Sequence, residues 1–388
     1  MTDRNPYFND EHQQFQDGIR RFVAREAPRE KVREWDAGRS FPYAFFDRMA
    51  ELECLKAGIP EEYGGTGLDV MYMVILCEEI SRWSDNLGAA YGLSYIGAAN
   101  VCHWGSEEQR KTLIPEYLAG KRRFSFSMTE PDTGSDSFGL TTFAREDGDH
   151  YVVNGEKMFA SAAQARDNVI VLAARTRRSE NKRDGISLFL VPNDLPGLEI
   201  QPLGVVSRKI IGTNRLVFTD ARVPKSALLG PVDKGVSILH KHLEIERILI
   251  AASYAGAAQG ALDIALKYSN DRIQFGRPIG GFQAIAHMLA DMHTEVQAAR
   301  LLVYQAAWLH SHQVDCFREA SVAKLHASET SFKVATLGMQ ILGGYAQLPE
   351  FDMERFFRDA KQSMVGGGTS QIQRTIIARS LGVPIAMA

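Results

Sequence analysis

A carboxylate set into an otherwise apolar helical stripe is the first chemical anomaly in this sequence. Between Gly235 and Ser269, residues Leu239, Leu243, Glu246 and Ile250 are spaced four, three and four apart, which places them on one face of a helix; Ala257 and Gly260 extend it. Glu246 stands where a leucine is expected. A carboxylate in apolar surroundings loses hydration, its pKa rises, and it becomes a candidate general base. An ion pair with a neighbouring cation, or a helix that meets water at this point, would account for the same pattern. Two other stretches carry polar chemistry. Met128-Thr129-Glu130-Pro131-Asp132-Thr133-Gly134-Ser135-Asp136 is dense in hydroxyls and acids, as in a loop that offers hydrogen bonds to a polar ligand or as in an ordinary surface turn. Gly366-Gly367-Gly368-Thr369-Ser370 precedes a helical run from near Gln371. Glycines there allow close backbone approach and present N–H groups to an anion, or form a flexible linker.

Other chemistries lack their residues. The chain has neither a G-x-G-x-x-G loop after a strand nor a G-x-x-x-x-G-K-[ST] loop, and neither H-E-x-x-H nor G-x-S-x-G occurs. His240/His242 and His310/His312 sit two apart on predicted helices and point to different faces, so neither pair is expected to chelate a metal. Cys54, Cys77, Cys102 and Cys316 form no C-x-x-C or zinc spacing and read as buried or semi-buried free thiols of a reducing compartment. A formal net charge of −3 with mixed signs gives no basic surface for nucleic acid or membrane. The polar, acidic start of the chain does not resemble a leader peptide. The most apolar stretch, Ile248 to Leu262, is too short to span a bilayer, so a cytoplasmic protein is expected.

Three zones must position these residues. Residues 1–121 read as helical, with Phe15, Ile19, Phe22 and Val23 and then Tyr72, Ile75, Leu76 and Ile80 at helical spacing, interrupted at Pro60 to Gly67. Residues 122–234 change period. Short β-branched runs such as Tyr151-Val152-Val153, Val169 to Leu172, Ile186 to Val191 and Leu216 to Phe218 lie beside Asn154-Gly155 and Asp184-Gly185, which read as turns. A β-sandwich or barrel-like domain is expected there. Residues 235–388 return to long helical periodicities, as in a helical bundle. The fold class is therefore α+β and multidomain, in the order helices, strands, helices.

Seven segments, in this order, resemble the acyl-CoA dehydrogenase family, and they cover nearly the whole chain. They are Pro60-Glu61-Glu62-Tyr63-Gly64-Gly65; Thr129-Glu130-Pro131 with Gly134-Ser135-Asp136; Asn154-Gly155-Glu156-Lys157; Arg272 with Gln274-Phe275-Gly276, Pro278-Ile279 and Phe282-Gln283; Gln340 with Leu342-Gly343-Gly344; Arg358-Asp359-Ala360-Lys361; and Gly368-Thr369-Ser370-Gln371-Ile372-Gln373-Arg374. The resemblance implies an N-terminal α domain, a middle β domain and a C-terminal four-helix bundle. It implies FAD as cofactor, with Phe126, Met128 and Thr129 along the flavin, Phe159 packed against it and Ser161 beside its N5. Many members carry Trp and Thr at those last two positions. Arg272, Phe275, Gln340 and Gly344 match residues that reach the FAD of a neighbouring subunit, and Thr369 and Gln371 match contacts to its adenosine half. Gly134, Ser135, Glu244 and Arg247 match positions along the coenzyme A side. The implied partners are an acyl-CoA, an electron-transfer flavoprotein and further copies of the chain in a homotetramer.

One position departs from most of the family. Where many members carry the catalytic Glu, this chain has Gly367. The isovaleryl-CoA and long-chain types instead hold the base on the first helix of the bundle, before an Arg. That pattern matches Glu246-Arg247 here and meets the periodicity argument. The resemblance then implies that Glu246 takes the α-proton of an acyl-CoA, the backbone N–H of Gly367 steadies the thioester carbonyl, and a trans-2-enoyl-CoA results. A flavin oxidase or monooxygenase on the same fold, and a non-catalytic FAD-binding subunit, are the competing readings.

Overall fold

Short polar signals start the helices. In the computed structural model, which describes residues 5–385, the side chains of Asn9 and Ser106 each accept a hydrogen bond from the backbone N–H three residues on, and the side chains of His12 and Gln109 accept one from the backbone N–H of the cap residue. The order is α1 (Asp10–Glu26), α2 (Arg29–Gly38), α3 (Tyr43–Glu51), α4 (Val70–Ser81), α5 (Asp85–Trp104) and α6 (Glu107–Leu118). The strands are β1 (Arg123–Ser127), β2 (Phe143–Asp147), β3 (His150–Ser161), β4 (Asn168–Arg175), β5 (Ile186–Pro192), β6 (Leu198–Pro202), β7 (Thr213–Pro224) and β8 (Leu228–Leu229). Then come α7 (Gly235–Asp271), the small hairpin β9 (Ile273–Gln274) and β10 (Arg277–Pro278), α8 (Gln283–Ser311), α9 (Phe317–Leu342), α10 (Met353–Ser363) and α11 (Ser370–Ser380). The chain gathers into two compact units, one of Arg39–Leu68 with Ala90–Leu243, the other of the residues up to Gly38, Asp69–Ala89 and those from Glu244 onward.

The first unit is built on an eight-stranded sheet of order β6-β7-β3-β2-β4-β5-β8, with β1 added on β4. β4 is the branch point. β1 pairs with it in parallel along residues 168–172, β2 meets it only at Arg175, and β5 runs antiparallel along its length. Alternate side chains from Ala144, Val153, Ile170, Leu172, Phe189, Leu216 and Phe218 close the core. Asn154-Gly155, expected as a turn, lies inside β3. The ladder to β7 slips there, Gly155 adopts φ +142°, and a Cβ on it would run into Thr142, so only glycine fits the bulge. The β2–β3 turn falls instead at Gly148, φ +62°, between Asp147 and His150. Asp184-Gly185 does form a turn before β5.

In the second unit, alanine and glycine let helices approach closely. Ala257, Ala258, Ala261 and Ala265 of α7 pack with Met292 and Val296 of α8, Val334 and Ala335 of α9 and Phe356 of α10. A Cβ on Gly256 would strike the Glu78 backbone of α4. α7 is long and apolar enough to cross a membrane, but 78% of its most apolar window is buried in the fold, as in a packed core helix. Buried Glu78 on α4 accepts hydrogen bonds from Arg300 and Tyr304 of α8, and Glu79 is paired with Arg20 of α1 at 2.7 Å. These charges are held by partners from other helices, which is what makes their burial tolerable. All four cysteines are buried free thiols.

Candidate active site

In the sheet unit, β1 delivers Phe126 and, just past its end, Met128 and Thr129. Phe126 is half-buried, and its ring lies 4.6 Å from that of His242. Thr129 O accepts from Met158 N at 2.8 Å, which fixes the chain beyond β1 against β3. Next to it, the Lys157 Nζ donates to Glu130 Oε1 at 2.7 Å and to Met128 O at 3.1 Å. The other Glu130 oxygen accepts from Thr141 N at 2.6 Å and from its hydroxyl at 2.7 Å. Burial alone would raise the Glu130 pKa, but Lys157 and the Thr142 and Thr141 donors outweigh it and hold the carboxyl at about 2. Burial pulls Lys157 down to about 8 against the attraction of Glu130. This lock anchors the loop that carries Gly134 and Ser135, both exposed, and a Cβ on Gly134 would meet open space.

Phe159 is the most distinctive residue of this half. It is 59% exposed and sits at φ +60°, where the ladder to β7 slips a second time, between Lys157 and Ala160. A bulky aromatic in the left-handed region is strained, and such strain persists where a site uses it. Here the strain lifts a flat apolar ring off the sheet, an arrangement suited to stacking on a planar aromatic cofactor. Ser161, half-buried, ends the strand two residues on.

In the helical unit, α7 carries Glu244, Glu246 and Arg247. Glu246 is half-buried rather than sealed in a core, and so are Leu243 and Ile250 on its stripe. Leu239 and Ala257 towards the two ends of the stripe are buried, so it opens only around Leu243, Glu246 and Ile250, where it carries one carboxylate. Arg247 is 4% exposed, lies 4.4 Å over the ring of Phe317, and has Nε and Nη1 without hydrogen-bond partners. Burial pulls its pKa down, opposed by Glu246 and then Glu244. Glu244 Oε1 lies 3.0 Å from His310 Nδ1. It also accepts from the Cys316 thiol, which burial first and the charge of Glu244 second push up to about 12.

The glycine segment is an ordered turn, not a linker. Gly367 and Gly368 take φ +65° and +87°. Lys324 Nζ donates to Gly368 O at 2.7 Å and to Ser363 O at 3.0 Å, and Gln373 Nε2 holds Gly367 O at 3.0 Å. A Cβ on Gly367 would run into Ile250 Cδ1, one helical turn from Glu246 on the same face. Among the described residues no backbone carbonyl accepts from Gly367 N–H. Thr369 caps α11 by accepting from Ile372 N at 3.2 Å, while Gln371 is exposed.

Arg272 and Gly344 meet in a cavity of about 440 Å³ with Tyr268, Gln274, Tyr345 and Leu348. Arg272 lies 5.4 Å over the Tyr345 ring. Phe275, at the hairpin tip, is 93% exposed at φ +51°, and Gln340 is exposed on α9; neither lines that cavity. A buried pair escaped the sequence reading: Asn100 Nδ2 lies 2.6 Å from His242 Nδ1. Its only signal was His242 standing four residues before Glu246.

Sequence profiles described as the N-terminal, middle and C-terminal domains of acyl-CoA dehydrogenase match residues 9–121, 125–221 and 233–382. A probable acyl-CoA dehydrogenase, YngJ of Bacillus subtilis (strain 168), is 40% identical over 343 residues, spanning 88% of this chain and 90% of that protein. The caffeyl-CoA reductase-Etf complex subunit CarC of Acetobacterium woodii is 36% identical over 381 residues, spanning 97% and 99%. The crystal structure of acyl-CoA dehydrogenase from Geobacillus kaustophilus superposes with a TM-score of 0.92 at 33% identity, over 97% of this chain and 99% of that one.

Proposed function

We propose, from the premise that this chain belongs to the acyl-CoA dehydrogenase family, that it desaturates an acyl-CoA at Cα–Cβ with Glu246 as the base. It is an oxidoreductase, and FAD is its cofactor. The observation that carries the assignment of the base is the single carboxylate on the open part of the apolar stripe of α7, beside the Ile250 side chain that a Gly367 Cβ would strike. A base entering from either position would serve the same face.

The residues present suit FAD. The raised Phe159 ring, with Phe126, Met128, Thr129 and Ser161, would hold the flavin; Thr369 and Gln371, and Arg272, Phe275, Gln340 and Gly344 of another copy, would hold the remainder. When bound, FAD supplies the acceptor for the hydride that leaves Cβ. Glu246 takes the α-proton. Gly367 N–H, fixed by the Gln373 and Lys324 contacts on either side, donates to the thioester oxygen as enolate charge develops. Gly134, Ser135 and Glu244 line the coenzyme A side, and Arg247 supports the base from the next position on the helix. The exposed Phe275 and the Arg272 cavity support assembly into a homotetramer that shares cofactor sites. The Etf complex in the name of one relative supports an electron-transfer flavoprotein as electron acceptor, and its naming as a reductase supports a second reading, the same chemistry run towards saturation.

Anaerobic titration of the FAD-loaded protein with straight, branched and cyclic acyl-CoAs tests this reading. Bleaching of the visible flavin band by one of them is expected. Absence of bleaching by every member, with flavin bound, would sink it and turn attention to oxygen-using chemistry.

Gly367 carries no side chain where many family members carry a Glu, and Ile250 Cδ1 fills the position of the missing Cβ, so an acyl group would meet an apolar side chain there, which fits a branched or bulky acyl group. Gly367→Ala places a Cβ at positive φ, costing about 1–2 kcal/mol, and pushes on Ile250. We expect kcat/KM for a branched acyl-CoA to fall about 10-fold or more relative to a straight one. Equal losses for both would argue against a pocket shaped by this glycine. Phe275→Ser removes about 1.5–3 kcal/mol for each Phe275 side chain that assembly buries. Light scattering should then show smaller assemblies than the native tetramer and weaker FAD retention; an unchanged mass would remove Phe275 from the interface.

A further inference from the structure

Glu244, His310 and Cys316 come from three separate segments, α7, the last turn of α8 and the residue before α9. One ligand atom from each lies within 4.8 Å of the other two, the sole such grouping among the described residues. Their donor set is a carboxylate oxygen, an imidazole nitrogen and a thiol sulfur. That mixture suits a borderline transition-metal ion and not magnesium or calcium, which seek oxygen alone. The 3.0 Å between Glu244 Oε1 and His310 Nδ1 is a hydrogen-bond distance, a few tenths of an ångström short of the roughly 3.3–3.6 Å between two ligands on a tetrahedral zinc with bonds of about 2.0–2.2 Å, so the pair needs only a small spreading to take an ion. Cys316 is fully buried while Glu244 and His310 are half-exposed, so an ion would reach the group from their side and keep a water there.

We propose that Glu244, His310 and Cys316 form a three-ligand site for a zinc-class divalent cation. On binding, the Cys316 S–H bond breaks, the sulfur lone pair goes to the metal and the proton to solvent. His310 uses neutral Nδ1, and Glu244 gives one carboxylate oxygen. The sequence spacing hid the site, because His310 and Cys316 stand six apart in no metal-binding pattern and Glu244 lies on another helix. Occupation also withdraws Glu244 from an acyl-CoA. That consequence, unlike the binding itself, rests on the coenzyme A reading of Glu244.

The test uses the FAD-loaded protein incubated with zinc, dialysed, and examined by metal analysis and zinc X-ray absorption, with no turnover involved. One zinc per chain is expected, with one sulfur at about 2.3 Å and nitrogen or oxygen at about 2.0–2.1 Å. Losing even an outer hydrogen-bond partner of a ligand typically costs about 10–100-fold in affinity. Cys316→Ser and, separately, His310→Gln should therefore each weaken binding by at least about 100-fold. The bound-flavin spectrum shows that each variant is folded. Zinc retained equally by wild type and by both folded variants, or a zinc shell without sulfur, overturns the proposal. So does failure of the wild type to retain zinc. None of these outcomes bears on whether Glu246 is the base.

Discussion

Glu246→Gln should slow flavin reduction by the best acyl-CoA about 10³-fold, within the ~10²–10⁴ range a positioned general base contributes. In free-energy terms that is about 4 kcal/mol of lost transition-state stabilisation. The substitution keeps the size and the half-buried setting of the side chain on α7, and it removes the one property the mechanism needs, the capacity to take a proton. FAD binding and acyl-CoA affinity should change little, because neither the Phe159 platform nor the glycine turn is touched. Rapid-mixing reduction under anaerobic conditions, paired with an equilibrium titration of a non-reactive acyl-CoA analogue, separates the two quantities. Equal reduction rates in native and variant protein would end the assignment and leave the base to be sought elsewhere. A loss confined to affinity would make Glu246 a binding residue.

The order helices, strands, helices was legible because the hydrophobic period changes from 3.6 to 2 and back, and period is a property of sequence alone. Glu246 was legible for the same reason, as an acid that breaks an apolar stripe. What the stripe could not tell is how it is covered. Its members Leu243, Glu246 and Ile250 are half-buried, so the expected cost of sealing a carboxylate in a core does not arise in the chain by itself. Asn154-Gly155 misled because the same dipeptide serves a hairpin turn and a bulge, and only the partner strand decides between them. The strain at Phe159 left no trace in the sequence, since an aromatic residue has a high strand propensity and reads as an ordinary strand residue. The partners of Arg247 and His310 lie on other helices, beyond the reach of any local pattern.

The Glu130–Lys157 pair is the same lesson in energetic form, since 27 residues separate a carboxylate and an ammonium that meet at 2.7 Å with side chains 3% and 0% exposed. Glu130→Gln should destabilise the sheet unit by about 3–5 kcal/mol, because it leaves the Lys157 charge buried with Met128 O as its remaining hydrogen-bond partner. Replacing both at once, by Glu130→Gln with Lys157→Met, should recover part of the loss, since the uncompensated charge is gone and the amide oxygen can still meet the two Thr141 donors, while Thr142 N–H loses its acceptor. The sign with pH follows from the carboxyl. Its folded pKa, about 2, is below the ordinary glutamate value of about 4.3, so its stabilisation is complete above that value and is lost as pH falls towards 2. Denaturant unfolding at pH 5 and pH 3 should show the native protein losing stability over this interval, and the double variant losing less. Parallel losses in the two proteins would place the acid sensitivity elsewhere. A mild effect of Glu130→Gln alone would mean that Lys157 sheds its proton on losing its partner, as its pull down to about 8 within the intact pair makes feasible. The loop of Gly134 and Ser135 hangs from this pair through Thr141 and Thr142, so its loosening should also be read as weaker acyl-CoA binding at constant flavin content.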